Sequence, residues 1–181
     1  IILLSWLFII LAILIKCTSK GPVFYVSERI GKNGKPFKFY KFRSMRIGAD
    51  KEIEELMAKS EREGTFKMKN DPRVTKFGKF LRKTSLDELP QLFNIFNGTM
   101  SIVGPRPVVQ REYDLMDDYQ RQRLLVKQGL TCIWQCSGRA NTSFKEQMLM
   151  DLEYVNKRGF WFDVWLILKT IPAVLFGKGA E

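Results

Sequence analysis

The sequence contains no histidine. That removes the commonest zinc ligand and the usual general base of neutral-pH catalysis, so any metal or acid–base chemistry falls to carboxylates. Cysteine is scarce as well. Three in 181 residues make no disulfide framework, and the odd count fits a reducing compartment. Cys132 and Cys136 stand close in sequence, but no further Cys or His completes a zinc site, so all three read as small apolar residues. Acidic residues are outnumbered, 19 Asp+Glu against 30 Lys+Arg, for a net charge of +11. This balance selects an anionic partner: nucleic acid, a phospholipid surface or a phosphorylated substrate. A 45% hydrophobic and 27% charged composition excludes a disordered basic tail, and the length suffices for one domain with its own core. There is no internal repeat or low-complexity segment. The first residue is Ile1 and not Met, which reads as a piece of a longer chain.

What is present begins with a long apolar run. Ile1 to Ile15 is apolar except for Ser5, and Lys16 and Lys20 follow it. Fifteen residues fall short of the roughly 20 that span a bilayer. A spanning helix that starts upstream fits, and so does a helix that enters one leaflet and returns. Re-entry is the expected geometry, with Ser5 as a bending point. The charges follow the run and no small-residue cleavage site is evident, which argues against a removed signal peptide. Lys16 and Lys20 place the rest of the chain on the cytoplasmic side.

Val23–Val26 and Phe37–Phe42 flank Gly31-Lys32-Asn33-Gly34, and the Asn-Gly pair predicts a β-hairpin. Phe37, Phe39 and Lys41 share one face of the second strand. Asp50 to Glu63 reads as a charged surface helix, Arg111 to Lys127 as a helix, and Gly129 to Arg139 as strand or loop. Ser143 to Asn156 carries Phe144, Met148, Leu152 and Val155 at helical spacing. Phe160 to Phe176 is an aromatic-rich helix interrupted at Pro172, with Trp161 and Trp165 suited to a headgroup zone.

Between these lies Thr84 to Asn94 (TSLDELPQLFN). Ser85 and Glu88 have capping-box spacing, whereas Pro90 argues for a later helix start, because proline is tolerated only in a first turn. Asp87 and Glu88 thus sit at a helix N-terminus, which favours ionised carboxylates. Alone, the pair reads more readily as a helix cap than as a nucleophile or metal ligand. Downstream, Gly104-Pro105-Arg106-Pro107 holds Arg106 extended between two prolines, either as a rigid turn or as a guanidinium pre-aimed at phosphate.

Lys20 to Tyr25, Tyr40 to Met45, Thr84 to Asn94, Met100 to Pro107, and Trp134-Gln135 with Ser137-Gly138-Arg139 occur in this order. Together they closely resemble the bacterial sugar transferases, the monotopic phosphoglycosyl transferases that start assembly of surface polysaccharides and glycoconjugates. The resemblance covers essentially the whole chain. It implies transfer of a sugar-1-phosphate from a UDP-sugar to undecaprenyl phosphate. By residue match, Asp87 attacks the sugar-bearing phosphorus, expels UMP and carries a covalent sugar-phosphate, which the polyprenyl phosphate then takes. Glu88, with Asp87 nearby, holds Mg²⁺. Lys41, Arg43, Arg82, Arg106 and Arg139 are assigned to phosphate or nucleotide contacts. Asp151 and Asp163 match family acidic positions that serve the site or fix the C-terminal helices.

The implied fold is α+β: a mostly helical, membrane-associated domain with a small β-hairpin and interfacial amphipathic helices. A membrane helix occupies 1–19, and a catalytic domain over 20–181 lies on the cytoplasmic face of the bacterial inner membrane. Phospholipid is an expected partner, nucleic acid is not, and self-association into a homo-oligomer is allowed for. The competing reading is a non-catalytic, membrane-tethered basic module that binds anionic lipid or nucleic acid, for which an acidic dyad has no use. The chain departs from the family pattern at Ser5-Trp6, where relatives often have Ser-Pro, and at Gln128 and Cys132, where many have proline and glycine.

Overall fold

The computed structural model describes residues 4–57, 60, 66, 68, 70–137 and 142–175. The first helix, α1 (Ser5–Thr18), is 14 residues long, about 21 Å at 1.5 Å per residue. No helix among the described residues is long and apolar enough to cross a membrane. One side of α1 is buried: Leu11 and Ile15 pack with Phe42 and Leu81, flanked by Leu86 and Leu89. Its other side leaves Trp6, Ile9, Ile10 and Ile13 exposed.

Strands β1 (Phe24–Ile30) and β2 (Pro36–Phe42) form the expected antiparallel hairpin, in register from Phe24 opposite Phe42 to Ile30 opposite Pro36. Asn33 and Gly34 take positive φ at the turn, a conformation that these two residue types tolerate best. The two-residue period sends Phe42 toward α1, where its ring lies 5.2 Å from Phe8. Phe39 and Lys41 share the opposite face, and Lys41 lines a cavity there.

A short helix, α2 (Ile53–Met57), follows a 3₁₀ turn; the remainder of the helix expected to reach Glu63 lies mostly outside the described residues. Helix α3 (Lys76–Lys83) starts at Thr75, whose hydroxyl accepts from the Gly78 N–H. Gly78 is there for close approach: a Cβ on it would lie 1.9 Å from the Ser44 carbonyl oxygen. Helix α4 (Gln91–Phe96) ends at Asn97-Gly98. Strand β3 (Ser101–Val103) pairs in parallel with β4 (Gly129–Thr131), a pairing that no local pattern announces.

Three expectations change. The single helix expected over Arg111–Lys127 is broken into α5 (Gln110–Asp114), α6 (Asp118–Arg121) and a 3₁₀ turn (Gln122–Leu125). Asp117 is the cause, since it caps a new helix and Gln120 closes the reciprocal bond. Helix α7 (Ile133–Ser137) occupies part of the stretch read as strand or loop. Helix α8 (Phe144–Lys157), capped by Ser143 and Glu146, agrees with its predicted stripe. Helix α9 (Phe160–Leu175) runs through Pro172 without stopping, because a proline so near the C-terminus removes one hydrogen bond from a helix about to end. Three apolar clusters hold these pieces together, centred on Phe42 and Leu81, on Met148 and Leu124, and on Tyr154 and Leu166. The result is an α+β molecule, mostly helical with a small hairpin, as expected.

Candidate active site

The capping box expected between Ser85 and Glu88 does not form. Ser85 sits at φ 56° and its side chain makes no cap bond. Left-handed backbone is uncommon for serine and costs about 1–3 kcal/mol. That conformation turns the chain from the end of α3 straight into a 3₁₀ turn, Leu86–Glu88, with Pro90 opening α4 behind it. Helix α4 therefore starts at Gln91, later than the sequence places it, and both carboxylates lie in the turn before it and not in its first turn.

Freed from a capping role, Glu88 turns to cations. Its Oε1 accepts from Lys41 Nζ at 2.9 Å and from an Arg106 NH group at 3.1 Å. Lys41 Nζ also lies 3.6 Å from Asp87 Oδ2. The hairpin, the 3₁₀ turn and the Gly104–Pro107 segment thus converge on one pair of adjacent carboxylates. Burial would raise the Glu88 carboxyl, but Lys41 and Arg106 outweigh it and hold it down at about 2. Asp87 goes the other way. It is only 6% exposed, and burial, opposed by Lys41 and reinforced by the Glu88 charge, pushes its carboxyl above the ordinary aspartate range. Two neighbouring carboxylates with environments that push them apart suit two different roles.

Both face an open cavity of about 1340 Å³ whose wall includes Lys41, Arg82, Asp87, Glu88 and Arg106. Arg82 donates from Nε to Ser44 Oγ at 3.0 Å and adds positive charge beside Asp87. Arg43 is placed differently. It lines the cavity, but its NH groups donate to the Ser19 and Lys20 carbonyls and tie the exit of α1 to β2. Asp151 and Asp163 are not brought to the cavity wall. Asp151 is fully buried against Arg123, and Asp163 accepts from the Tyr154 hydroxyl at 3.0 Å. Arg139 lies outside the described residues.

Two residues that the sequence reading passed over belong to this arrangement. Arg29 shares the Lys41 face of the hairpin and lines the cavity. Its guanidinium carbon lies 5.3 Å from the Phe39 ring centroid, and Lys41 Nζ lies 5.6 Å from the same centroid. Period-two alternation back from the hairpin turn could have placed it there. Asn94 is 1% exposed and joins α4 to β2: its Oδ1 accepts from the Tyr40 N–H at 3.2 Å, and its Nδ2 donates to the Lys38 carbonyl at 2.6 Å. Nothing in the sequence distinguishes this Asn from a surface one.

The cations and carboxylates on one wall match the sequence motifs in a single family. A family model described as bacterial sugar transferase matches residues 1–177. The chain belongs to the bacterial sugar transferase family. Among its relatives, a galactosyl transferase CpsE of Streptococcus agalactiae is 46% identical over 89% of this chain and 36% of its own length. An exopolysaccharide production protein ExoY of Rhizobium meliloti is 45% identical over 99% of this chain and 81% of its own. An undecaprenyl-phosphate galactose phosphotransferase of Salmonella typhimurium is 44% identical over 88% and 35%, respectively. The chain thus spans about a third of the length of two of these relatives and most of the other.

As a donor set for a metal, Asp87 and Glu88 stand nearly alone. Among the described residues no three His, Cys, Asp or Glu side chains cluster to cage an ion. Two adjacent carboxylates in a cavity suit a hard cation that keeps several waters and shares its remaining positions with substrate phosphates, as Mg²⁺ does.

Proposed function

We propose that this protein transfers a sugar-1-phosphate from a UDP-sugar to undecaprenyl phosphate at the inner, cytoplasmic face of a bacterial membrane, with Asp87 as nucleophile. The observation that carries this reading is the buried Asp87 and the adjacent, half-buried Glu88 meeting Lys41 and Arg106 at the wall of a cavity. Phosphoryl transfer needs positioned charge more than proton traffic. Neither a carboxylate nor a phosphate monoester must lose a proton before attacking, which accounts for chemistry without histidine.

In the first half-reaction an Asp87 carboxylate oxygen bonds to the sugar-bearing phosphorus. The bond from that phosphorus to the bridging oxygen breaks, and UMP leaves with the electron pair. In the second, an oxygen of the polyprenyl phosphate bonds to the same phosphorus and the Asp87 carboxylate is released. Lys41, Arg82 and Arg106 supply positive charge to the phosphate oxygens, and Arg29 extends that charge along the wall. Glu88, with Asp87 beside it, would hold Mg²⁺, which supplies charge neutralisation for the diphosphate. The exposed apolar faces of α1 and α9, with Trp6, Trp161 and Trp165, suit insertion into one leaflet.

The test is UMP release from a panel of UDP-sugars by purified membranes supplied with Mg²⁺ and undecaprenyl phosphate. One sugar in the panel is expected to give turnover, and Asp87→Asn to abolish it. Full activity in Asp87→Asn would remove Asp87 from the nucleophile role.

A further inference from the structure

Arg123 lies in the 3₁₀ turn before β4, outside every sequence motif, at a place where the cavity wall meets the buried interior. Its side chain is 1% exposed and that of Asp151 on α8 is 0% exposed. Nε and one NH₂ of Arg123 donate to Asp151 Oδ2 at 2.9 and 2.6 Å. The same NH₂ donates to the main-chain carbonyl of Arg106 at 2.6 Å.

That carbonyl matters because of where Arg106 stands. Pro105 and Pro107 have no N–H, so the backbone of this segment is anchored chiefly through its carbonyls. The Pro105 carbonyl accepts from the Gly129 N–H at 3.0 Å, Gly104 N–H donates to Thr131 at 3.0 Å, and the Val108 carbonyl accepts from Ile30 at 2.9 Å. These bonds hold the segment to the neighbouring strands. Arg123 holds Arg106 itself, and from that fixed point the Arg106 side chain reaches Glu88. A buried ion pair adds little net stability over an apolar pair of similar size, so stability alone does not account for Arg123 and Asp151. The bond to Arg106 gives them a task. An arginine fork can serve carboxylate and carbonyl together, which a lysine ammonium does less well.

We infer that Arg123 and Asp151 are positioning residues: a buried ion pair that fixes the Arg106 main chain, and so aims the Arg106 guanidinium at the dyad and its phosphates. Asp151 then acts two steps removed from substrate, through Arg123. This inference rests on the reading of Arg106 as a phosphate-side cation.

The experiment is a double-mutant cycle on the intact chain in membranes. UMP release is followed with the most active UDP-sugar of the panel for R123K and for R123M/D151L, each with Arg106 present and in an R106A background. Thermal unfolding is recorded alongside. With Arg106 present, both variants are expected to lose about 10–100-fold in kcat/KM, as small misplacements of a positioned group do. In R106A the same changes are expected to cost less than about twofold more, because the residue they aim is gone. R123M/D151L, which removes both charges at once, is expected to melt within a few degrees of the parent. R123K carries the test alone if the double variant does not fold. An equal loss in both backgrounds, or parental kinetics in R123K, overturns the inference. R106A at parental activity overturns the reading of Arg106 and the inference with it, whereas a panel without any UMP release points to the proposed reaction itself.

Discussion

At the scale of single residues, the site turns on how Lys41 divides its charge. It bonds Glu88 and stands near Asp87, so it is the cation shared by both members of the dyad. Removing it leaves two adjacent carboxylates, the buried one without its nearest cation, and the Asp87 carboxyl is then pushed up further by burial and by Glu88. Lys41→Met keeps the aliphatic stem over Phe39 and removes the charge. It is expected to lower kcat by about a hundredfold, the range found when one oriented electrostatic group is deleted. The melting temperature should hold. A kcat within threefold of the parent would place Lys41 outside the phosphate chemistry. Ser85 bears on the same point. Its spacing to Glu88 announced a cap, yet its left-handed backbone releases Glu88 to the cavity, so a strong local signal gave way to the ion-pair partners that only tertiary structure supplies.

At the scale of elements, the short helix α4 is what brings the dyad to the hairpin. It has six residues, too few to be stable alone, and is held by Asn94 bridging to the Lys38 and Tyr40 main chain. Asn94→Ala leaves those β2 groups without their partner and is expected to cost about 1–3 kcal/mol, read as a lowered unfolding midpoint. Because Lys41 is adjacent to the unpinned strand segment, kcat should fall as well. An unchanged midpoint would show that the docking of α4 lies elsewhere. Elements of this kind also show where the sequence was legible. The hairpin, its Asn-Gly turn and the apolar stripe of α8 could be read because each is encoded within a few neighbouring residues. Helix α3 was not read, since Gly78 looks like a breaker until Ser44 is seen against it. The β3–β4 pairing joins residues far apart in sequence, and the Asp117 break depends on a single capping residue inside a helical pattern.

At the scale of the whole molecule, two apolar surfaces remain uncovered. Trp6, Ile9 and Ile13 on α1 and Phe160, Trp161, Trp165 and Leu168 on α9 are exposed, in a chain of net charge +11. Such a combination suits an anionic bilayer surface. The protein is expected to float with vesicles containing anionic lipid. Trp161→Ser/Trp165→Ser is expected to weaken that association without lowering the melting temperature; flotation unchanged in this variant would move the contact away from α9. The dyad chemistry was legible only by combining scales. Asp87-Glu88 read alone resembles a cap, and it becomes a candidate site once Lys41, Arg106 and the cavity are placed around it. The sequence leaves Asp151 open between serving the site and fixing the helices; it is buried against Arg123 and is absent from the cavity wall, a placement that a charge pattern alone does not separate.

The reaction proposed here requires the protein to carry the sugar-phosphate between its two substrates. Purified protein with Mg²⁺ and the active UDP-sugar, but without undecaprenyl phosphate, should therefore gain the mass of one sugar-phosphate, and peptide mass spectrometry should place it on Asp87. Adding undecaprenyl phosphate should discharge it. Turnover with no such adduct, or an adduct on another residue, would contradict a covalent role for Asp87.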